Sequence, residues 1–177
     1  ICKKPSLKEF LQLGPVPIAN SFLRKDELGQ IEQLFPLSVC LCENCGLVQL
    51  VDIIHKDVLF KSYPYFSSVS KTFVCHCEEL AEEIAQRFLN RSCALVIDIG
   101  SNDGVMLKPM KNYAVVLGVE PATNVAEFAE SQGIETINDF FTEKLALEIA
   151  ESRGKASVVS ALNVMNHVDN LIDFIGG

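Results

Sequence analysis

The 177-residue chain has no apolar run approaching the ~20 residues that cross a bilayer. Its first residues, Ile1-Cys2-Lys3-Lys4-Pro5, carry no apolar stretch of the signal-peptide kind. Positive charge is scarce: 15 Lys and Arg stand against 23 Asp and Glu, a formal net charge of -8. A surface that neutralises many phosphates is usually basic, so non-specific nucleic-acid binding is not expected. Internal repeats and low-complexity tracts are absent. Seven cysteines cannot all pair, which suits reduced thiols and metal ligation better than a disulfide scaffold. What remains is 49% hydrophobic and 21% charged, the balance of a chain that can bury a core. The expectation is a soluble, acidic, cytoplasmic protein with no membrane and no nucleic-acid partner. Its length fits one medium domain, or a small module joined to a larger one. No oligomeric state is implied.

The sequence changes character near residue 68, giving two expected parts, residues 1–67 and 68–177. The first is loop-rich, broken by Gly14-Pro15-Val16-Pro17, Gly29 and Pro36. Two small strands are expected at Leu37–Val39 and Leu47–Leu50, flanking a Cys42-x-x-Cys45 turn. Residues 51–67 read as a connection. From Ser70, the apolar residues Phe73, Val74, Cys77, Leu80, Ala81, Ile84 and Phe88 recur every three or four positions, the stripe of an amphipathic helix. Beyond it, strand-like segments at Ala94–Ile99, Ala114–Val119, Ile134–Ile137 and Ala156–Leu162 alternate with helical patterns at Gly104–Lys111, Ala122–Gln132 and Thr142–Ser152. That alternation implies βαβ units and a parallel sheet, an α/β fold.

The first of those strands runs into Asp98-Ile99-Gly100-Ser101-Asn102-Asp103-Gly104. A glycine turn leaving a parallel strand lets a ligand approach the backbone. The dinucleotide fingerprint needs further glycines at positions 102 and 105; Asn and Val stand there, so that reading fails. Glu120 ends the second strand, where a carboxylate can accept hydrogen bonds from two ribose hydroxyls. Asn138-Asp139-Phe140-Phe141 follows the third, and by its residues alone reads as a helix N-cap with core aromatics.

Cys42 and Cys45 have the spacing of a metal knuckle, and a tetrahedral site needs two more ligands. Cys2 is one candidate, although its own C-x-x-C partner would fall before residue 1. Cys40 is a nearby substitute on a short strand, and free buried cysteines are the rival reading. Cys75-His76-Cys77 cannot converge on one ion from a helix, since neighbours point apart. Cys93 has no partner motif.

The acidic-x-Gly-x-x-x-Gly turn resembles motif I of class I S-adenosylmethionine-dependent methyltransferases. Leu13–Leu23, Phe35-Pro36-Leu37, Cys42–Leu50, Tyr63-x-Tyr65-x-Ser67-Ser68-x-Ser70, Ile99–Gly104, Gly118–Ala126 and Asn163-Val164-x-x-His167-Val168, in that order, resemble the zinc-binding, S-adenosylmethionine-dependent sugar C-methyltransferases. The resemblance implies a small N-terminal zinc-binding module followed by part of a Rossmann-like methyltransferase domain with strand order 3-2-1-4. It implies S-adenosylmethionine held by Asp98, Gly100, Ser101, Asn102, Asp103, Gly104, Glu120, Pro121, Asp139, Phe140 and Asn163. Structural zinc would sit on Cys2, Cys42 and Cys45. The substrate would be a nucleotide-linked keto-deoxysugar, methylated at carbon through a base-generated enolate, with Tyr63, Tyr65 and His167 facing it. His76 matches a family histidine without a derivable role. Further strands and a C-terminal domain are expected beyond Gly177. Two other readings stay open here: a non-catalytic zinc-knuckle binding module, and an oxygen- or nitrogen-directed methyltransferase.

Overall fold

The computed structural model describes residues 2–89 and 93–177, which leaves Ile1 outside it. It divides into two compact units, Ile1–Leu59 and Phe60–Gly177. Among the described residues, no helix is long and apolar enough to cross a membrane.

The first unit is a three-stranded antiparallel sheet. β1 (Leu7–Val16) pairs with β2 (Phe35–Cys42), which pairs with β3 (Val48–Leu50). β2 and β3 flank the Cys-x-x-Cys turn as the sequence implies. β1 was read from sequence as loop, because Gly14-Pro15-Val16-Pro17 breaks the pattern. It forms because it is an edge strand, where proline costs no ladder bond on its outer side. Pro15 faces Pro36, and the register shifts twice, between Glu9 and Leu11 and between Gln12 and Gly14. Each shift leaves one residue, Phe10 and then Leu13, without an opposite number. A short helix, α1 (Lys56–Phe60), follows.

The second unit opens with a 3-10 turn at Ser67–Val69 and α2 (Lys71–Phe88), capped by Ser70 Oγ accepting from the Phe73 N–H. β4 (Leu95–Ile99), α3 (Leu107–Met110), β5 (Val115–Val119), α4 (Thr123–Ser131), β6 (Thr136–Ile137), α5 (Glu143–Arg153) and β7 (Val158–Ser160) then alternate, with α6 (Leu171–Gly176) last. All strand pairs are parallel and the order is β6-β5-β4-β7, the expected 3-2-1-4. α3 is shorter than the expected Gly104–Lys111.

β4 is buried along its whole length and sorts its side chains to two cores. Val96 joins Cys77, Ala81 and Ile84 of α2 with Met106, Leu107 and Met110 on one face. Leu95, Ile97 and Ile99 join Leu117, Val119, Ile149 and Phe174 on the other. With both faces covered, β4 is a rigid rail that delivers Gly100 to the C-terminal edge of the sheet. Ligands of open α/β sheets bind at that edge.

Candidate functional site

Gly100 takes φ 63, in the left-handed region, and an added Cβ would lie 2.5 Å from Val164 Cγ2, so only glycine fits. The turn is tied to the end of β5: the Gly100 N–H donates to the Val119 carbonyl at 2.7 Å and that of Ser101 at 3.2 Å. Gly118 in β5 makes room for this, since a Cβ there would meet Ser101 Oγ at 2.5 Å.

Three buried carboxylates gather on these turns. Glu120 bridges them: Oε1 accepts from the Ala122 N–H and Oε2 from the Asn102 N–H, each at 2.8 Å. Burial raises its pKa, the two N–H groups oppose that, and the Asp103 charge adds to it. Asp103 accepts from the Ser68 N–H through Oδ2 at 2.9 Å, while its Oδ1 is buried without a partner among the described residues. Ser101 Oγ is in the same position. Asp98, near the end of β4, is tied to the neighbouring strand: its Oδ1 accepts from Ser160 Oγ at 2.6 Å across the β4–β7 seam. Burial pushes the Asp98 carboxyl up to about 7, with the Ser160 bond opposing and the Glu120 charge assisting.

Segment Lys61–Ser68 lies against these same turns. The Asn124 side chain bonds both backbone groups of Tyr63, and the Asn102 side chain bonds the Ser67 N–H and the Tyr65 carbonyl. The Phe60 ring sits 6.1 Å from that of Tyr63 and 5.8 Å from that of His167. Phe60 thus brings together two of the expected catalytic residues. Tyr65 and His167 are exposed, and Asn166 Nδ2 lies 3.2 Å from His167 Nε2.

Other expected residues are more scattered. Pro121 is half-buried beside Glu120. Asp139 is exposed and its Oδ1 accepts from the Phe140 N–H, a loop-closing bond. Asn163 is exposed at φ 58, one residue before the Val164 that covers Gly100. Sequence reasoning assigned nothing to Ser160, Phe60 or Asn124. Asn124 lies inside the Gly118–Ala126 segment that carries the resemblance, without a role of its own there; Ser160 and Phe60 left no signal, since the register that sets Ser160 beside Asp98 is fixed only in the sheet.

In the first unit, the thiols of Cys2, Cys42 and Cys45 lie within 4.8 Å of one another, with 3.5 Å between the Cys2 and Cys42 sulfurs. The turn that presents them is closed by the Gly46 N–H donating to the Cys42 carbonyl at 2.8 Å. The Lys4 backbone N–H, and then the Cys45 and Cys42 thiols, hold the Cys2 thiol down at about 7. Cys40 points elsewhere, its Sγ donating to the Gln49 carbonyl at 3.4 Å. No other described His, Cys, Asp or Glu joins the three.

Residues 73–176 match a family model described as "Methyltransferase domain", and residues 1–60 match one described as "Putative zinc binding domain". The whole chain is 31% identical to the C-methyltransferase NovU of Streptomyces niveus and spans 42% of that relative's length. Among solved structures, the plantazolicin methyltransferase BpumL in complex with SAH is 16% identical, over 58% of this chain and 39% of that one, with a TM-score of 0.42. The magnesium protoporphyrin IX methyltransferase ChlM from Synechocystis PCC 6803 with bound SAM is 18% identical, over 55% and 49%, with a TM-score of 0.40.

Proposed function

Because the chain belongs to the methyltransferase-domain family, we propose that it is part of an S-adenosylmethionine-dependent enzyme that methylates a carbon of a nucleotide-linked keto-deoxysugar. The observation that carries the cofactor reading is the charge of the glycine turn. Asp103 and Glu120 are buried beside it and Asp98 just behind. Such a site repels a pyrophosphate and favours a ligand with a sulfonium and an ammonium group. The unpartnered Asp103 Oδ1 and Ser101 Oγ are buried polar atoms that a polar ligand would satisfy.

When bound, the cofactor supplies an electrophilic methyl group. Glu120, whose carboxylate keeps lone pairs beyond those taken by two N–H groups, would hold the ribose hydroxyls. The Gly100–Gly104 turn with Pro121 would pass beneath it, Asp139 and Phe140 would stand at the adenine end, and Asn163 would follow from β7. Asp98 would act from behind, fixing the turn through Ser160. Methylation at carbon, as in the name of the 31%-identical relative, requires a proton to leave the carbon beside the ketone. His167 is an exposed imidazole that can take it, with Asn166 Nδ2 beside its Nε2, and the Tyr63 and Tyr65 hydroxyls can donate to the enolate oxygen. In the first unit, Cys2, Cys42 and Cys45 offer the soft thiolates that zinc prefers; a tetrahedral site takes one donor more, and a closed thiolate site is structural.

Calorimetry on the full-length protein tests the core of this. Glu120→Ala removes two charge-assisted hydrogen bonds of roughly 1.5–3 kcal/mol each, so affinity for S-adenosylmethionine should fall at least tenfold, while NAD should not bind the parent protein. Unchanged affinity would remove Glu120 from the site, and the sugar assignment is checked separately by a mass gain of one CH2 on the nucleotide-sugar.

A further inference from the structure

Segment Lys61–Ser68 carries both tyrosines, and at its far end the half-buried Phe66 ring packs edge-to-face on that of Phe128 at 5.2 Å. Tyr65 is 43% exposed, and Lys61, Ser62 and Pro64 are exposed as well. Around the tyrosines themselves it is fastened through its backbone. Thr123 donates its N–H to the Lys61 carbonyl at 3.2 Å. Asn124 Oδ1 accepts from the Tyr63 N–H at 3.0 Å while its Nδ2 donates to the Tyr63 carbonyl at 2.8 Å. Asn102 repeats the pattern, with Oδ1 accepting from the Ser67 N–H at 2.8 Å and Nδ2 donating to the Tyr65 carbonyl at 3.1 Å. Asp103 Oδ2 takes the Ser68 N–H.

A carboxamide is the side chain that offers one donor and one acceptor at the spacing of a peptide's own groups. Aspartate at 124 would face the Tyr63 carbonyl with a second acceptor, and alanine would leave both groups open. Pro64 fixes the φ between the tyrosines and keeps Tyr63 extended, so setting one backbone position sets the direction of the side chain. The two amides grow from the turns that carry the cofactor residues, and the Asn102 N–H itself binds Glu120.

We propose that Asn124 and Asn102 are positioning residues that hold Tyr63 and Tyr65 in register with the glycine turn, which ties the proton chemistry to the cofactor site. This rests on the methyltransferase reading above. Asn124 belongs to an exposed helix start, so its replacement leaves both cores intact.

The test uses the full-length protein, with S-adenosylhomocysteine for binding and a nucleoside-diphosphate-linked keto-deoxyhexose as substrate probe. Asn124→Ala should speed amide exchange at Tyr63 at least tenfold, lower kcat at least tenfold, and leave S-adenosylhomocysteine affinity within twofold of the parent. Asn124→Asp should be equally slow at neutral pH. Its turnover relative to the parent should recover as the pH falls and the carboxyl regains a proton to donate, a recovery that loss of packing would not show. A kcat equal to the parent's, an unaltered Tyr63 amide, a flat relative pH profile or a tenfold loss of cofactor affinity would each overturn the positioning role. If instead the parent neither binds S-adenosylhomocysteine nor turns over the probe, the methyltransferase reading fails first and takes this role with it.

Discussion

The two units solve the problem of staying folded in opposite ways. Among the described residues of Ile1–Leu59, only Cys40 and Cys42 are buried, and nearly every residue of β1 is exposed. Phe60–Gly177 buries all five residues of β4 and packs a core on each face of its sheet. Where apolar burial is that thin, something other than hydrophobic contact must offset the chain entropy; three thiols within 4.8 Å are the means on hand. A small antiparallel sheet cross-linked by a metal and a parallel sheet held by its core should therefore fail under different insults.

The largest effect expected is on the first unit. Stripping metal with a chelator, or replacing Cys42 by Ser, should abolish amide protection in β1 and β2, because affinity in such modules is folding energy of order 10 kcal/mol. Protection in β4 and β5 should remain. Retention of β1 protection after metal removal would break the comparison outright.

Next in size is the reverse experiment. Leu117→Ala, at a side chain with no exposed surface, should cost the second unit about 2–5 kcal/mol in chemical denaturation, through lost transfer energy and the cavity left behind. It should not alter protection at the cysteine turn.

A smaller, pH-dependent effect distinguishes the units further. With its carboxyl raised to about 7, Asp98 binds more protons folded than unfolded between pH ~4 and ~7. Its contribution therefore makes stability fall as the pH rises through that window. Asp98→Asn keeps an acceptor for Ser160 and removes the titration. Its stability relative to the parent should rise from pH 5 to pH 8 by less than the ~4 kcal/mol ceiling that such a shift allows. Burial raises Glu120 in the same sense, so some slope should survive. Parallel pH profiles for parent and variant would return Asp98 to an ordinary carboxyl.

How much of this was legible follows from the same contrast. The second unit announces itself because each strand is short, apolar and bounded by turn residues, so periodicity alone places β4, β5 and their helices. The cysteine turn is equally plain, since Cys42 and Cys45 are three apart. β1 is hidden for a physical reason: bulges at Phe10 and Leu13 switch the side chains from face to face, and the period-two signal cancels. The fastening of Tyr63 by Asn124 spans 61 residues and the Asp98–Ser160 bond spans 62. Neither leaves a local trace. What the sequence does carry of the site, Gly100–Gly104 and Glu120, lies where a strand end dictates both backbone and spacing.

The Asp98–Ser160 bond has one more consequence, for assembly of the sheet rather than for its chemistry. β7 is only three residues long and pairs Val158, Val159 and Ser160 with Val96, Ile97 and Asp98. Two valines sliding along a valine and an isoleucine tell one alignment from another very weakly. A slip by one residue turns the hydroxyl to the opposite face, and a slip by two sets the carboxyl against Val158 or Leu162. In either case a buried acid loses its donor, at a cost of about 1–3 kcal/mol or more. The pair works as a notch on a ruler: it makes a ladder of nearly interchangeable rungs readable at one position, and so fixes how far along β4 the chain that follows β7 emerges beside Gly100.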